Sequence, residues 1–311
     1  MGVYPLNELE IVQHRQIEGL SIFLNTIDYR TPHIHTEWEL IWVLDHPLSV
    51  ACGKRNFVAQ VGKMVLFSPN EPHEFHKIGE NATFVCLQIA PGILPVDRRL
   101  IVDGKLPHEY LPDEDYERLK NTLAAVMKAY LMQEDNYALY CVGQACLILR
   151  TLFQHMPTHV MTAEEASSID KRNARLNRLI RFVDENYMHK IRLSDFAQAE
   201  GCSMSHLSHF IKNSMNQTFQ EYVNSVRFHR ACELMAAGNK KMLEICMESG
   251  FSDYRYFSRA FQKQCGMTPE EYSRSARATW VENVQVCHSI HSRERFYSRE
   301  DSLRIIDIYL K

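Results

Sequence analysis

One pattern occurs twice in the C-terminal third of the chain, and it restricts the fold more than any other feature of the sequence. Two short stretches with the apolar spacing of a helix are each followed by a glycine, Gly201 in the first copy and Gly250 in the second. Ser203 and Ser252 come next, at positions typical of helix N-caps, so a second helix is predicted in each copy. A short helix, a tight turn with glycine and a second helix form a helix-turn-helix. We therefore predict two such units, joined by a long helix, in an all-α segment at residues 173–277.

The second helix of each copy has a polar face that is rich in hydrogen-bond donors. Its residues are Ser205, Ser208, His209 and Lys212 in the first copy, and Tyr254, Arg255, Ser258, Arg259 and Lys263 in the second. A solvated helix face has a similar composition, so one copy alone leaves the role of this face open. Two copies favour double-stranded DNA as the partner, because such a helix fits the major groove and a guanidinium group can bind guanine O6 and N7.

Further residues of the two copies form a longer pattern. The second copy reads Gly250-Phe251-Ser252, Tyr256-Phe257-Ser258-Arg259-Ala260-Phe261, Gly266-Met267-Thr268-Pro269 and Tyr272, and the first has Leu207, Phe219, Tyr222, Val226-Arg227, Ala231 and Leu234. This pattern resembles the AraC/XylS family of transcription regulators throughout residues 173–277. Asn216 departs from the glycine that the family usually has after its first recognition helix, but asparagine also tolerates a left-handed turn.

The resemblance implies a role for the polar residues of both helices. Base-edge contacts are expected from Ser205, Ser208 and His209 in the first helix and from Tyr254, Arg255 and Arg259 in the second, with Ser258 on the same face. Phosphate contacts are expected from Ser203 and Ser252 at the helix N-termini and from Lys212 and Lys263. The resemblance also implies a homodimer on promoter half-sites, RNA polymerase as a partner and a cytoplasmic location.

Residues 20–90 consist of short apolar runs separated by turn residues. The runs are 40–44, 48–52, 56–60, 64–67 and 82–89, and Gly53-Lys54 predicts a hairpin between the second and the third. Strands this close together are typical of a small barrel or sandwich. Between residues 113 and 156 the spacing becomes helical, first with one apolar face and then with apolar residues nearly all round.

These changes of period divide the chain into five segments. We predict an α+β protein with a cupin-like sensing barrel at 1–110, connector or dimerisation helices at 111–160, a polar linker at 161–172, the DNA-binding domain at 173–277 and a tail at 278–311. The tail has apolar runs at 280–290 and 303–310, for which strands are the first interpretation. Basic residues exceed acidic ones in the DNA-binding segment, whereas acidic residues exceed basic ones before it. This asymmetry indicates that one part of the chain meets a polyanion.

Polar residues of the barrel segment form a candidate binding site. His33, His35 and Glu39 have the same parity, so on a continuous strand they point to one face. His73 follows a proline-rich turn and can join them from a neighbouring strand. This HxHxxxE spacing with a later histidine resembles, in part, the metal-ligand set of cupin barrels, although the glycine that ends the first cupin motif is absent. Arg30 is a candidate anchor for an anionic or hydroxylated ligand.

Three interpretations of this set remain open. The residues line a metal-free pocket for a small-molecule effector such as a carbohydrate, or they hold a divalent transition metal, or they are polar residues on a wet barrel rim. We adopt the effector pocket, formed by Arg30, His33, His35, Glu39 and His73, and accordingly predict neither a cofactor nor a resident metal. The alternatives are a metal-responsive regulator and a metal-dependent cupin enzyme, both of which would use the three histidines and the glutamate as ligands.

Other signals for enzymes and membranes are missing from the sequence. It contains no phosphate-binding loop, no GxSxG and no dinucleotide fingerprint, so we predict that the protein is not an enzyme. No apolar stretch approaches the roughly 18 residues that a membrane helix needs, and the N-terminus lacks the features of a signal peptide. The nine cysteines include no CxxC pair, which favours free thiols in a reducing cytoplasm.

Overall fold

The computed structural model describes residues 8–10, 12, 14, 16–52, 55–95, 97, 99–215, 217–237, 240–265, 267–279 and 293–309. These residues form two compact units, which we call the barrel unit and the helical unit. The barrel unit holds the described residues of 12–166 together with 293–309, and the helical unit holds those of 8–10 and 167–279. The predicted hairpin at Gly53-Lys54, the turns at Asn216 and Gly266 and the tail run 280–290 lie outside the described residues.

The described residues form strands mainly before residue 161, and only helices between residues 161 and 279. The strands are β1 (Glu8–Leu9), β2 (Leu20–Ile34), β3 (Trp38–Val43), β4 (Leu48–Cys52), β5 (Arg55–Ala59), β6 (Met64–Phe67), β7 (His73–Lys77), β8 (Ala82–Ile89), β9 (Leu100–Val102), β10 (Thr158–Val160) and β11 (Arg293–Phe296). The helices are α1 (Asp113–Met132), α2 (Tyr137–His155), α3 (Ala163–Asn186), α4 (Leu193–Ala199), α5 (Met204–Met215), α6 (Phe219–Ala237), α7 (Met242–Glu248), α8 (Tyr254–Cys265), α9 (Pro269–Thr279) and α10 (Arg299–Tyr309).

The barrel unit is built on a nearly closed antiparallel β-barrel. Its strands are hydrogen-bonded in the order β5-β4-β7-β2-β8-β3-β6, and β11 pairs with β2 in addition. Side chains alternate along β3, as a sheet with two different faces requires. Trp38, Leu40 and Trp42 pack towards α1 and α2, whereas Ile41 and Val43 point into the barrel. The predicted barrel and the two predicted helices behind it are therefore confirmed.

The described residues 293–309 of the tail belong to the barrel unit, which the sequence did not reveal. Residues 303–310 were interpreted first as a strand, but 299–309 form α10, which packs against α1 with Ile306 fully buried. The Tyr309 hydroxyl donates a hydrogen bond to the Leu44 carbonyl over 3.0 Å. Ile306 lies in the core that α1 and α2 share, and Ile305 packs against that core. The apolar run can therefore form the buried face of a helix as readily as a strand.

The polar segment predicted as a linker, 161–172, is mostly helical, because α3 begins at Ala163. Thr162 and Glu165 form a capping box at its start. The Thr162 hydroxyl accepts from the Glu165 backbone N–H at 3.3 Å, and the Glu165 carboxylate accepts from the Thr162 N–H at 3.0 Å. The boundary between the two units lies within this segment, between Ala166 and Ser167, and the Thr-x-x-Glu spacing marks the start of its helix.

The helical unit contains both predicted helix-turn-helices. The first consists of α4 and α5 with a turn at Gly201, and the second consists of α7 and α8 with a turn at Gly250. Both glycines have positive φ, +62° and +87° respectively, which explains why glycine stands at each turn. The long helix α6 joins the two copies, and its Ala231 lies in one core with Phe257 and Phe261 of α8.

The turn at Gly250 also needs glycine because the backbone of another segment lies against it. A Cβ atom at this position would stand 2.4 Å from the Tyr187 carbonyl oxygen. The same oxygen accepts a hydrogen bond of 2.8 Å from Arg227 Nε of α6. Within the part of the chain that the structure describes, no helix is long and apolar enough to cross a membrane.

Candidate nucleic-acid interface and effector site

The two recognition helices, α5 and α8, begin with different caps. In the first copy, Ser203 Oγ accepts a hydrogen bond of 3.2 Å from the His206 backbone N–H, as predicted for an N-cap. In the second copy the cap is Asp253, whose carboxylate accepts from the Arg255 N–H at 2.7 Å. The prediction that Ser252 caps α8 is therefore wrong, because the carboxylate stands one residue nearer to the first turn. Ser252 is exposed beside the helix start.

The predicted DNA-contacting residues of α5 lie on its exposed face. Ser205, Ser208, His209 and Lys212 are all exposed, while Leu207 and Ile211 between them are fully buried. The burial pattern follows the helical period, so the polar residues form one continuous strip. This strip offers two hydroxyls, an imidazole and one ammonium group to a partner.

The exposed face of α8 is more basic than that of α5. Arg255, Arg259 and Lys263 are exposed. The Arg255 guanidinium contacts the Asp253 carboxylate over 2.8 Å, and this contact lowers the Asp253 pKa to about 2. Because the Arg255 side chain is 83% exposed, the contact is solvated and can be exchanged for a base or phosphate at little cost. Lys263 Nζ lies 3.2 Å from the Glu221 carboxylate of α6. This pair is also exposed to solvent, so Lys263 can exchange the carboxylate for a phosphate at little cost.

Two predicted residues of α8 are less accessible than the others. Tyr254 and Ser258 are half-buried. The Tyr254 ring packs against Phe257 with the ring centroids 5.4 Å apart, and its hydroxyl is hydrogen-bonded to Glu270 of α9. These contacts hold Tyr254 in the helical core more than on the surface. Tyr256, which belongs to the family pattern but was assigned no contact, is the more exposed tyrosine at 59%.

Tyr256 lines a groove between α6 and α8 together with basic side chains. The groove is lined by Lys190, Gln220, Glu221, Asn224, Arg227, Tyr256, Arg259 and Lys263. The helical period could have indicated this, because Tyr256, Arg259 and Lys263 are spaced by three and four residues and share one face. The basic surface of the second copy thus extends beyond the residues that the sequence predicted to contact DNA.

The barrel interior brings together the predicted effector residues. His33 of β2 pairs in register with His73 of β7, and Glu39 lies on β3 between Gln88 of β8 and Phe67 of β6. The side chains of the three histidines and Glu39 are 0–4% exposed, with His35 in the turn between β2 and β3. This burial rules out the third interpretation, in which these are polar residues on a wet rim.

The strand assumed to carry His33, His35 and Glu39 is not continuous. β2 ends at Ile34 and β3 begins at Trp38, so His35 lies in a turn and the parity argument does not apply across it. The residues nevertheless meet, because the turn folds the two strand ends over the same interior. His35 Nε2 lies 3.1 Å from one Glu39 carboxylate oxygen, and His73 Nε2 lies 3.5 Å from the other.

Burial and neighbouring charges oppose each other at this cluster. Burial, followed by the nearby His73 and Arg30, lowers the pKa of His33 well below its ordinary value. Burial alone would raise the pKa of Glu39, but the charges and hydrogen bonds of His35 and His73 outweigh it and hold that pKa well below the usual range. Glu39 is therefore a buried carboxylate that its histidine neighbours keep ionised.

Other polar residues of the interior were not recognised in the sequence. Gln88 Nε2 donates to a Glu39 carboxylate oxygen at 2.8 Å, and Glu37 lies 3.7 Å from His14 and also from His35. The inward face of β8 could have indicated Gln88, since it has the same parity as the buried Cys86. No such signal identified Glu294 of β11, which lies 3.6 Å from Arg30 Nη1, because it is remote in sequence.

The histidines also fit a divalent transition metal. One ring nitrogen each of His33, His35 and His73 lies within 4.8 Å of the others. His73 Nδ1 is 2.9 Å from the Glu71 carbonyl oxygen, an arrangement in which the ring N–H faces the backbone and Nε2 is left for a ligand. Imidazole nitrogens with one carboxylate are a common donor set for such ions. The geometry is thus compatible with a metal-free effector pocket and with a site for a divalent transition metal.

Comparison with known proteins decides the family. A model described as an AraC-like ligand binding domain matches residues 20–139, and one described as a helix-turn-helix domain matches residues 196–275. Together they cover more than half of the chain and correspond to the barrel and to both DNA-binding copies. The chain belongs to the AraC family of transcription regulators. The predicted AraC/XylS resemblance and the prediction that the protein is not an enzyme are confirmed, and the alternative of a cupin enzyme is wrong.

Similar AraC-type proteins are distant in sequence. The uncharacterized HTH-type transcriptional regulator YbfI of Bacillus subtilis is 22% identical over 247 residues, which are 79% of this chain and 87% of YbfI. An uncharacterized HTH-type transcriptional regulator of Staphylococcus aureus strain MSSA476 is also 22% identical, over 64% of this chain and 26% of its own length. This chain therefore spans about a quarter of the Staphylococcus aureus relative.

Some of the similar solved structures match most of the chain, and others match only its C-terminal third. ToxT from Vibrio cholerae O395 is 12% identical and has a TM-score of 0.45, covering 83% of this chain and 98% of ToxT. The C-terminal domain of AraT, a response regulator from Geobacillus stearothermophilus, is 25% identical with a TM-score of 0.31, and covers 32% of this chain and 84% of that domain.

Proposed function

We propose that this AraC-type regulator is controlled by a small-molecule effector that binds inside the barrel. The observation that carries the proposal is the convergence of buried polar side chains on the interior face of the ligand-binding domain. Arg30, His33, His35, Glu39 and His73 are each 1–3% exposed. Burying so many polar groups costs free energy unless they are paired. A set of this kind in a ligand-binding domain is best explained by a ligand with several hydroxyls, and a carbohydrate is the first candidate.

DNA recognition is proposed for the exposed faces of α5 and α8. Arg255 and Arg259 would bind guanine edges, and Ser205, Ser208 and His209 would read bases in the adjacent groove segment. Tyr254 and Ser258 would contribute from the margin of the interface. Ser203, Ser252, Lys212 and Lys263 would contact phosphates and supply salt-dependent affinity. Burial at Tyr254 and exposure at Tyr256 support a larger role for Tyr256 than the sequence suggested.

Effector control would operate as a population shift. A ligand that binds one arrangement of the protein more tightly than another changes the fraction that occupies the promoter. We propose that the regulator acts in the cytoplasm as a homodimer on repeated or inverted half-sites, where it contacts RNA polymerase. A dimer places two pairs of recognition helices on the DNA and so doubles the sequence that is read.

A thermal-shift panel on the full chain tests the effector site. Sugars and sugar acids are added with and without EDTA, and a ligand at 100 times its Kd is expected to stabilise the protein by about 2.7 kcal/mol. His73→Asn should abolish the shift, whereas His46→Asn, at a side chain that is 40% exposed, should retain it. If the shift is the same in both variants, the barrel interior is not where the ligand binds.

A metal-responsive regulator is the second candidate, and the cluster of three imidazole nitrogens within 4.8 Å specifically favours it. His33, His35 and His73 would hold the ion with Glu39, and a bound ion would neutralise that carboxylate. The purified 311-residue chain is titrated with Co²⁺, whose visible absorption depends on the atoms that bind the ion. A d–d spectrum in the original protein that His33→Asn removes supports this candidate. Absence of a spectrum and of any EDTA effect in the panel supports the metal-free site.

A further inference from the structure

Strand β11 completes one wall of the barrel, although it follows the helix-turn-helix segment in sequence. It pairs with β2 from Arg293 opposite Tyr29 to Phe296 opposite Asn25. β7 pairs with the opposite edge of β2, because Tyr29 has both Arg293 and His76 as partners and a strand residue pairs once on each side. Ile27 likewise pairs with Glu294 of β11 and with Ala82 of β8. β11 therefore covers an edge of β2 that β7 and β8 leave free.

The side chains of β11 alternate between the interior and the surface. Phe296 packs on Phe23 with ring centroids 5.4 Å apart, inside the apolar core of the barrel. Arg295 is exposed and lies over the Tyr297 ring. Glu294 has the same parity as Phe296 and points inward. It places a carboxylate in the interior of the ligand-binding domain.

The Glu294 carboxylate is held by groups of β2. Its Oε1 lies 3.6 Å from Arg30 Nη1, and its Oε2 accepts a hydrogen bond of 2.7 Å from Asn25 Nδ2. The Arg30 and Glu294 side chains are only 3% and 8% exposed. Arginine stays protonated in proteins, so a guanidinium buried to this degree requires an anion close by. In this structure the Glu294 carboxylate of β11 is one such anion.

We propose that Arg30 and Asn25 form a carboxylate-binding subsite, that Glu294 occupies it in the absence of effector, and that the effector is a carboxylic acid whose carboxylate replaces Glu294. This inference rests on the proposed function, since it names the chemical class of the ligand for the same interior. A sugar acid would satisfy both the subsite and the histidines. Replacement would release Glu294 and with it the barrel contact of β11.

The exchange must conserve charge because the site is buried. A neutral hydroxyl in place of Glu294 would remove a negative charge from beside the buried Arg30 guanidinium, and breaking a buried pair in this way is strongly unfavourable. A carboxylate ligand exchanges one anion for another and keeps the charge balance. Neutral sugars would therefore leave β11 in place, whereas their acids would compete with it. The internal carboxylate acts as a tethered competitor and weakens the apparent affinity for the effector.

Chemical rescue of Glu294→Gly in the full chain tests the subsite without knowledge of the effector. Acetate is added to this variant in increasing concentration. Sodium chloride at equal ionic strength is the control for salt, and acetamide is the neutral probe of the same shape. We expect acetate to raise the Tm of E294G and to slow hydrogen exchange of the β11 amides, with acetamide and chloride doing neither. The matched control is Glu300→Gly in α10, whose side chain is 84% exposed and which should show no acetate effect. Adding Arg30→Met to E294G should abolish the rescue.

Several results would overturn the proposal. These are equal effects of acetate on E294G and E300G, equal effects of acetate and acetamide, or rescue that persists without Arg30. If E294G does not fold, Glu294→Gln serves instead, since it keeps the shape and removes the charge. The β11 amides should then exchange at least about tenfold faster than in Glu300→Gln, because a neutral amide is a poorer partner for a buried guanidinium. Unchanged exchange in E294Q would also contradict the proposal.

Pairs of sugars and their acids separate this inference from the proposed function. Galactose with galacturonate and glucose with glucuronate are compared for binding to the original protein and to E294G. Tighter binding of an acid by at least about tenfold in E294G supports the inference, because the tethered competitor is gone. Binding of a neutral sugar that is lost in His73→Asn and unaffected in E294G would refute the inference and leave the effector site in the barrel intact.

Discussion

The two turn glycines, Gly201 and Gly250, provide a matched pair that tests the reasoning about the helix-turn-helices. Both have positive φ, but a Cβ atom at Gly201 meets nothing within 4 Å, whereas one at Gly250 stands 2.4 Å from the Tyr187 carbonyl oxygen. Gly201→Ala should therefore lower the free energy of unfolding by about 1 kcal/mol, the cost of placing alanine at a positive φ. Gly250→Ala carries the same cost and must also displace a backbone carbonyl.

The additional cost at Gly250 can be worked out from its neighbours. Forcing extra volume into a packed site costs about 1–3 kcal/mol. Displacing the Tyr187 carbonyl also weakens its hydrogen bond from Arg227, and a hydrogen bond to a charged group contributes about 1.5–3 kcal/mol. These two effects overlap, because movement of the carbonyl relieves one and causes the other. We therefore expect Gly250→Ala to destabilise the helical unit by about 3 kcal/mol in total.

Hydrogen exchange measured by mass spectrometry is the suitable assay, because a chain with two units need not unfold in a single transition. The amides of α6, α7 and α8 should exchange about a hundredfold faster in Gly250→Ala, and only about fivefold faster in Gly201→Ala. Peptides from the barrel unit should be unchanged in both variants and serve as the internal control. Equal acceleration by the two substitutions would show that the close approach at Gly250 has no energetic consequence, and the reasoning would be refuted.

Three further predictions follow from the described contacts. Ile306→Ala should lower the stability of the barrel unit by about 3 kcal/mol, because Ile306 is fully buried. Ile308→Ala, at a side chain that is 67% exposed, should change it by less than about 0.5 kcal/mol. Calorimetry of the barrel transition measures both effects. Hydrogen bonds from the cap at the start of α6 hold the pKa of Glu221 at about 2, below its ordinary 4.5, so its contribution is present above pH 4.5 and is lost as the pH falls towards 2. Glu221→Gln should therefore destabilise the helical unit by about 1 kcal/mol at pH 7 and not at pH 2, as measured by urea unfolding; an equal difference at both pH values would contradict this. Arg255→Ala should reduce discrimination between a selected and a scrambled DNA duplex by about 1–3 kcal/mol in fluorescence anisotropy, whereas Lys263→Ala should weaken binding to both duplexes alike.

The helical unit was the most predictable part of the fold, for a physical reason. A helix-turn-helix is specified by residues close together in sequence: apolar residues at helical spacing, a glycine with positive φ and a cap. Gly201, Gly250 and Ser203 each stand where the local geometry requires them. The cap at Asp253 was missed because two capping residue types are adjacent there, and only the exact start of α8 distinguishes them.

The barrel interior was only partly predictable, because it depends on contacts between remote strands. The inward direction of Glu39 follows from alternation along β3, but its partner Gln88 is fixed by the register of β3 with β8. His33 and His73 meet through another register, between β2 and β7. Sequence parity suggested the correct group of residues while assigning them to a strand that does not exist as one piece.

The tail was the least predictable part, since a four-residue strand has almost no periodicity of its own. Glu294 and Phe296 fit the barrel only because β2 has an uncovered edge at that point. Likewise, the apolar residues of α10 suit a strand or a helix equally well in isolation, and the surface of α1 decides between them. Short segments of this kind take their structure from what they pack against.

The position of β11 has a consequence for the order in which the protein is synthesised. Translation proceeds from the N-terminus at about 5–20 residues per second, and domains generally begin to fold as they emerge. Both helix-turn-helices precede residues 293–309 in the chain, so they leave the ribosome while the barrel still lacks one wall and the α10 cover. When α9 has just left the ribosome, the DNA-binding half should thus be complete while the sensor still lacks β11 and α10. A fragment that ends at residue 160 repeats this condition permanently, with the edge of β2 open to other strands.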